Sequence, residues 1–148
     1  MSQYILLNGE DIWVENPLHD IVYLFPLPVK PDAIKEEIAS GIYACEAKEP
    51  PSACAEKVNI RKFFDLAGPA AFNLAGKARQ ILFWRHTHQY CGKCGAPLIR
   101  HTVEHAMYCT ACKLHFYTRI NPVIITLIHR GDSILLAKRT DPGFNHFF

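Results

Sequence analysis

Two Cys-x-x-Cys pairs, Cys91-Gly92-Lys93-Cys94 and Cys109-Thr110-Ala111-Cys112, constrain this chain more than any other feature; 14 residues separate them. Each pair can set two thiolates on one tight turn. A Zn²⁺ ion takes four such soft ligands at about 2.3 Å in a tetrahedron. Gly92 and Gly95 ease the sharp turn of the first pair. A single redox dithiol would need only one pair, so the tandem arrangement points to a metal site. Cys91, Cys94, Cys109 and Cys112 are the expected ligands. Pro97–Arg100 and Ala106–Tyr108 read as short strands about a polar turn, His101–His105, which makes a ribbon. A core this small cannot be held by apolar burial, so metal binding must supply the folding energy, on the order of 10–16 kcal/mol. Four cysteines close the coordination sphere, so the zinc is expected to be structural.

The remaining composition narrows the setting. The 148 residues suffice for one ordinary domain or two small ones. No apolar run approaches the ~18 residues that would span a bilayer, and no signal peptide is evident. Four of the six cysteines are in metal spacing, which favours a reducing, cytoplasmic setting. The leftover Cys45 and Cys54 read as small buried apolar side chains. The formal charge of +2 is cancelled once four thiolates hold one Zn²⁺, so global charge gives no argument for nucleic acid.

The sequence predicts an α+β chain. Residues 3–7, 12–14, 21–25, 42–45 and 56–60 read as strands of a small antiparallel, β-rich unit, with a short helix over 32–39. A long amphipathic helix is expected from Pro69 to His88. Its apolar face is Ala71, Leu74, Ala75, Ala78, Ile81 and Leu82, and it runs almost directly into Cys91. After the ribbon strand 114–118, residues 123–128 and 133–139 read as two longer strands about the turn Arg130-Gly131-Asp132. The predicted organisation is a β-rich domain over 1–68, a connecting helix over 69–89, the ribbon over 90–119, and the start of a further domain over 120–148.

The run Phe83–Gly95, Glu104, the tract Phe116–Pro122 and the segment Asp132–Ala137 together resemble the NADH pyrophosphatase branch of the Nudix hydrolases. The resemblance covers about residues 60–140, and the first 60 match only loosely. It implies that 1–68 is a β-rich, Nudix-like domain. It implies also that 120–148 is the first hairpin of a Nudix α/β/α sandwich. Enzymes of this branch cleave NADH or NAD⁺ to nicotinamide mononucleotide and AMP, and related substrates include NAD-capped RNA. They are homodimers and use Mg²⁺ or Mn²⁺ held by glutamates of the Nudix helix, where the cations neutralise the diphosphate and activate water. The resemblance also assigns dinucleotide contacts to Glu104, five residues before the third cysteine, and to Tyr117, five after the fourth. Lys62 stands where the family has an Arg, a point charge in place of a planar fork.

The departure from the family is plain. After Glu104 there is no glutamate, and only Asp132 and Asp141 carry carboxylates. No catalytic residue is therefore expected within these residues. The Mg²⁺ or Mn²⁺ ligands are expected beyond Phe148, and the chain alone is expected to be inactive.

Other readings compete. Histidines 86, 88, 101, 105 and 115 crowd the ribbon and read as surface or helix-end residues. Lys93, Arg100, Lys113 and Arg119, with Tyr90, Tyr108 and Phe116, could form a basic, aromatic patch for single-stranded nucleic acid. A third reading is a structural or dimerisation module, since the apolar run 123–128 would be an open edge unless paired.

Overall fold

The computed structural model describes residues 2–16, 21–26, 35–119 and 121–137. The chain separates into two compact units, 1–118 and 119–148.

The first unit is built on a five-stranded sheet. In chain order its strands are β1 (Gln3–Asn8), β2 (Asp11–Val14), β3 (Lys35–Ala39), β4 (Ile42–Glu46) and β5 (Glu56–Asn59). In space the order is β3-β4-β1-β2-β5. The sheet is mixed, not antiparallel as the sequence suggests: β1 and β4 run parallel, with Ile5 beside Ala44 and Leu6 beside Cys45. Side-chain alternation sends Ile5 and Leu7 to one face, where they join Ile12, Val14, Ile38 and Ala44 under the helix. Leu6, Trp13, Phe25 and Cys45 pack on the other face. Burial on both sides explains why β1 reads as a continuous apolar run.

Helix α1 (Ile60–Thr87) covers the first face. It starts earlier than Pro69, the start predicted from sequence, because Asn59 caps it by accepting from the Arg61 N–H at 3.1 Å. Two helical segments meet at Gly68, whose φ of 77° breaks the helix just before Pro69. The second segment is the helix the periodicity predicts. Ala71, Ala75, Ala78, Ile81 and Leu82 are its buried face, Phe63 of the first segment packs beside them, and the small alanines let the helix lie close to the sheet. The far end carries Trp84 into a second cluster with Cys91, Leu98, Met107 and Cys109. Among the described residues, no helix is long and apolar enough to cross a membrane.

Three short strands form the ribbon: β6 (Ile99–Arg100), β7 (Ala106–Cys109) and β8 (Leu114–Tyr117). Pro97 makes only an isolated bridge, to Tyr90. The second unit, taken by itself, contains the two-residue hairpin β9 (His129–Arg130) and β10 (Ser133–Ile134), closed through Gly131 at φ 58°.

Several sequence expectations are corrected. Residues 35–39, expected to be helical, form β3, and 32–34 lie outside the described residues. Glu36 and Ile38 alternate with exposed neighbours and are both buried, so a ladder to β4 overrides the helix propensity of Lys35-Glu36-Glu37. Residues 21–25 make two isolated bridges, Val22 to Glu15 and Phe25 to Tyr4, and no strand. The run 123–128 is not a strand; Ile124 and Ile125 are fully or nearly fully exposed. The expected strand 133–139 shortens to Ser133–Ile134, and Lys138 and Arg139 lie outside the described residues. Cys45 is buried as expected, but Cys54 is exposed in a turn.

Candidate metal centre and ligand face

The chain leaves α1 at Thr87 and reaches Cys91 four residues later. The first cysteine turn is held by Gly95 N–H donating to Cys91 C=O at 2.8 Å and Cys91 N–H donating to Ala96 C=O at 2.8 Å. The second turn repeats the pattern, with Lys113 N–H donating to Cys109 C=O at 2.8 Å. Gly95 and Lys113, each just after the second cysteine of its pair, both adopt left-handed backbone, at φ 72° and 60°. Glycine suits that conformation; lysine adopts it against its Cβ.

The two turns bring the Sγ atoms of Cys91, Cys94, Cys109 and Cys112 within 4.8 Å of one another. Four sulfurs around one Zn²⁺ at about 2.3 Å lie about 3.8 Å apart. Cys94 and Cys109, 3.6 Å apart, already match that spacing and are far beyond disulfide length. All four are free thiols. Their electrostatics suit a cation. The Cys94 backbone N–H, more than any other group, lowers the Cys91 thiol to about 7, against the opposing effect of burial; the Lys93 N–H and the thiols of Cys94 and Cys109 assist. Cys112 is pushed up to about 12, first by its hydrogen bond with Cys94, then by burial and the remaining thiols. Without metal the cluster cannot ionise fully at neutral pH. A divalent cation supplies the missing charge. A four-sulfur donor set fits structural zinc and leaves no position for substrate.

Two of the three predicted ligand residues, Glu104 and Tyr117, sit on the ribbon. Tyr117, on β8, donates its phenol to Glu104 Oε2 at 2.8 Å. That acceptor raises the Tyr117 pKa, so the phenol remains a donor through the neutral range. Glu104 belongs to the loop between β6 and β7. His101 Nδ1 accepts from the N–H of Glu104 at 3.1 Å and of Val103 at 3.4 Å, and Ala106 N–H donates to Glu104 C=O at 2.8 Å. Glu104 is thus held at both backbone and side chain. Lys62 is exposed on the first segment of α1, and among the described residues no hydrogen bond or ion pair joins it to Glu104 or Tyr117.

One cluster escapes sequence reasoning. Glu36, only 2% exposed, receives Arg85 from α1 and both Nε and Nη2 of Arg100 from β6, at 3.1 Å, with His105 Nδ1 3.8 Å away. It ties the sheet, the helix and the ribbon together. Arg100 and Glu104 also line a groove of about 450 Å³, with Lys35, Glu37, Tyr43 and Thr102. The sequence hid the cluster because Glu36 was expected on a helix, where its alternation with Ile38 has no meaning.

Comparison with known proteins bears on the ribbon. Residues 86–117 match the family model of the NADH pyrophosphatase zinc ribbon domain. The chain is 43% identical over 86 residues to the NAD-capped RNA hydrolase NudC of Stutzerimonas stutzeri, a match covering 57% of this chain and 31% of that relative. It is 44% identical over 79 residues to the NAD-capped RNA hydrolase NudC of Pseudomonas fluorescens, covering 53% and 29%. The Pseudomonas putida protein of the same name is 46% identical over 67 residues, covering 45% and 24%. The matches take in less than a third of those relatives' length. They support, through the ribbon, a resemblance to the NADH pyrophosphatase branch of the Nudix hydrolases.

Proposed function

We propose that the chain is the N-terminal part of an NAD diphosphatase that hydrolyses NADH or NAD⁺ to nicotinamide mononucleotide and AMP and removes NAD caps from RNA. The observation that carries this reading is the Tyr117–Glu104 hydrogen bond at 2.8 Å. The resemblance assigns these two residues, 13 apart in sequence, to the dinucleotide, and they meet on one face of the ribbon. A phenol that donates and a carboxylate that accepts can fix ribose hydroxyls and an amide, while the ring offers a stacking plane.

Cys91, Cys94, Cys109 and Cys112 hold Zn²⁺ that organises the ribbon and takes no part in the reaction. The domain division is 1–68 for the β-rich domain, 69–89 for the helix, 90–119 for the ribbon and 120–148 for the start of the Nudix sandwich. Mg²⁺ or Mn²⁺ supplies phosphate neutralisation and activated water in the whole enzyme. No glutamate follows Glu104 in these residues, so the 148-residue chain alone binds and does not cleave. The working enzyme is a homodimer in a reducing, cytoplasmic compartment. Lys62 contributes a charge to the ligand without a bidentate contact.

The test is equilibrium binding of NADH to the zinc-loaded chain, read from the nucleotide's own fluorescence, alongside an assay for AMP with Mg²⁺ or Mn²⁺. Binding that weakens at least several-fold in both Tyr117→Phe and Glu104→Gln, with no AMP formed, is expected. NADH binding that ignores both substitutions overturns the assignment, and AMP release by the chain overturns its inactivity.

A further inference from the structure

The chain has two tryptophans, Trp13 and Trp84, and both are buried, at 5% and 8% exposure. Burial strips an indole N–H of water, so a buried tryptophan ordinarily finds an acceptor. Trp13 has one: its Nε1–H donates to Ala47 C=O at 2.8 Å. Trp84 differs. Its Nε1 is out of contact with solvent and has no hydrogen-bond partner among the described residues. The ring is braced on α1 by His88, whose own ring lies 5.6 Å away and whose Nδ1 bonds to Trp84 C=O at 2.9 Å.

The surroundings of that N–H point to its acceptor. Trp84 shares a buried cluster with Cys91, Leu98, Met107 and Cys109. None of those four side chains carries oxygen or nitrogen, so sulfur is the acceptor they offer. A trapped water would itself need several polar partners, which they do not supply. A neutral thiol or thioether is a weak acceptor. Zinc changes the chemistry, because a metal-bound cysteine is a thiolate, and a hydrogen bond to an ionised acceptor is about twice as strong as a neutral one. Four thiolates outweigh one divalent cation, so the loaded centre carries net negative charge. Cys94 is exposed and can share its charge with water. Cys91 and Cys109, at 3% and 0% exposure, must find donors within the protein. Cys109 Sγ already accepts from Cys112 N–H at 3.3 Å.

We propose that the Trp84 indole N–H donates to a zinc-bound sulfur of the buried pair, Cys91 and Cys109, and so completes the set of donors around the buried thiolates. The inference rests on the zinc reading of the four cysteines. Trp84 is a positioning residue, acting through the sulfur it holds. It also precedes Arg85, which reaches the buried carboxylate of Glu36. The bond therefore joins the metal centre to the end of α1 that grips the sheet, and metal loading fixes that helix end as well as the ribbon.

The test compares the full chain with Trp84→Phe, which keeps an aromatic ring and loses the N–H, and with Leu98→Ala, which opens a cavity in the same cluster and removes no donor. Losing an outer-shell partner typically costs about 10- to 100-fold in metal affinity, and chelator competition should show a loss of that size in Trp84→Phe. Packing alone could weaken zinc in both variants, so the deciding readout is spectroscopic. With Co²⁺ in place of zinc, the thiolate-to-metal charge-transfer band should move to lower energy in Trp84→Phe, because its sulfur has lost a hydrogen bond, and should stay in place in Leu98→Ala. A second measurement needs no variant. In the wild-type chain loaded with a magnetic cadmium isotope, the Trp84 indole proton should exchange with solvent as slowly as that of Trp13 and show a coupling to the metal. An unmoved band in Trp84→Phe, or a Trp84 indole proton that exchanges like a free indole in the loaded wild type, overturns the proposal and leaves the zinc site standing. A wild-type chain that takes up no zinc overturns both.

Discussion

Replacing Glu36 by alanine should destabilise the first unit more than any other single change of a charged residue. The carboxylate is 2% exposed, while its partners Arg85 and Arg100 are 18% and 38% exposed. Removing it leaves two guanidinium groups facing each other across a partly buried gap. Breaking a buried ion pair from one side costs about 3–5 kcal/mol. Arg100 can turn toward water, so the cost belongs near the lower end, about 3 kcal/mol. In a unit of this size that corresponds to a fall in melting temperature of roughly 10 °C. Glu36→Gln keeps the volume and one acceptor, so it should fall between wild type and alanine. The exposed neighbour Glu37, whose carboxylate accepts from Gly41 N–H at 3.0 Å, is the control. Its replacement by alanine should change stability by no more than about 0.5 kcal/mol. Urea unfolding followed by circular dichroism, with zinc in excess so that metal loss does not limit the transition, measures all three. A loss below about 1 kcal/mol for Glu36→Ala would refute the view that this carboxylate locks the ribbon to the sheet.

Two further outcomes concern the metal centre. Zinc affinity should fall with decreasing pH, and more steeply below about 7, because Cys91 then holds a proton that the metal must displace in addition to that of Cys112. Competition with a chromophoric chelator from about pH 6 to about pH 8 tests this, and a pH-independent affinity would contradict it. Gly95→Ala should destabilise the zinc-loaded ribbon by about 1–2 kcal/mol, since φ of 72° penalises any Cβ there although nothing lies within 4 Å of one; an unchanged unfolding curve would contradict it.

The parts of the fold that were legible in the sequence share one property: short-range pattern decides them. The cysteine spacing is local, and so is the alternation of Ala71, Ala75, Ala78 and Leu82 with polar residues. Glu104 and Tyr117 were visible only through resemblance to a family, but their offsets from Cys109 and Cys112 are local too. What failed was decided at a distance. Lys35-Glu36-Glu37 has helix-forming chemistry, and it becomes a strand because β4 offers a ladder and Arg85 and Arg100 wait for the Glu36 carboxylate. Those guanidinium groups lie 49 and 64 residues away in sequence. The parallel pairing of β1 with β4 is equally non-local, because no turn signal announces a parallel neighbour. Val123–Ile128 failed for the opposite reason. An apolar, β-branched run has strand propensity, but among the described residues it pairs with no strand, and propensity alone makes no ladder.

The Glu36 cluster changes how the weakly matching N-terminal sheet should be understood. Arg100, which Glu36 holds, is the residue just before His101, and His101 accepts from the backbone of Glu104. His105, on the other side of Glu104, also approaches Glu36. The loop that carries Glu104 is therefore bracketed on both sides by contacts to one carboxylate of the sheet, while zinc fixes the strands behind it. A structural metal alone would leave a five-residue loop at the far end of a small ribbon free to move. A buried carboxylate with two guanidinium partners gives that loop a second anchor. On the proposed dinucleotide reading, the sheet is then part of the ligand-bearing apparatus, and the ribbon is one half of it.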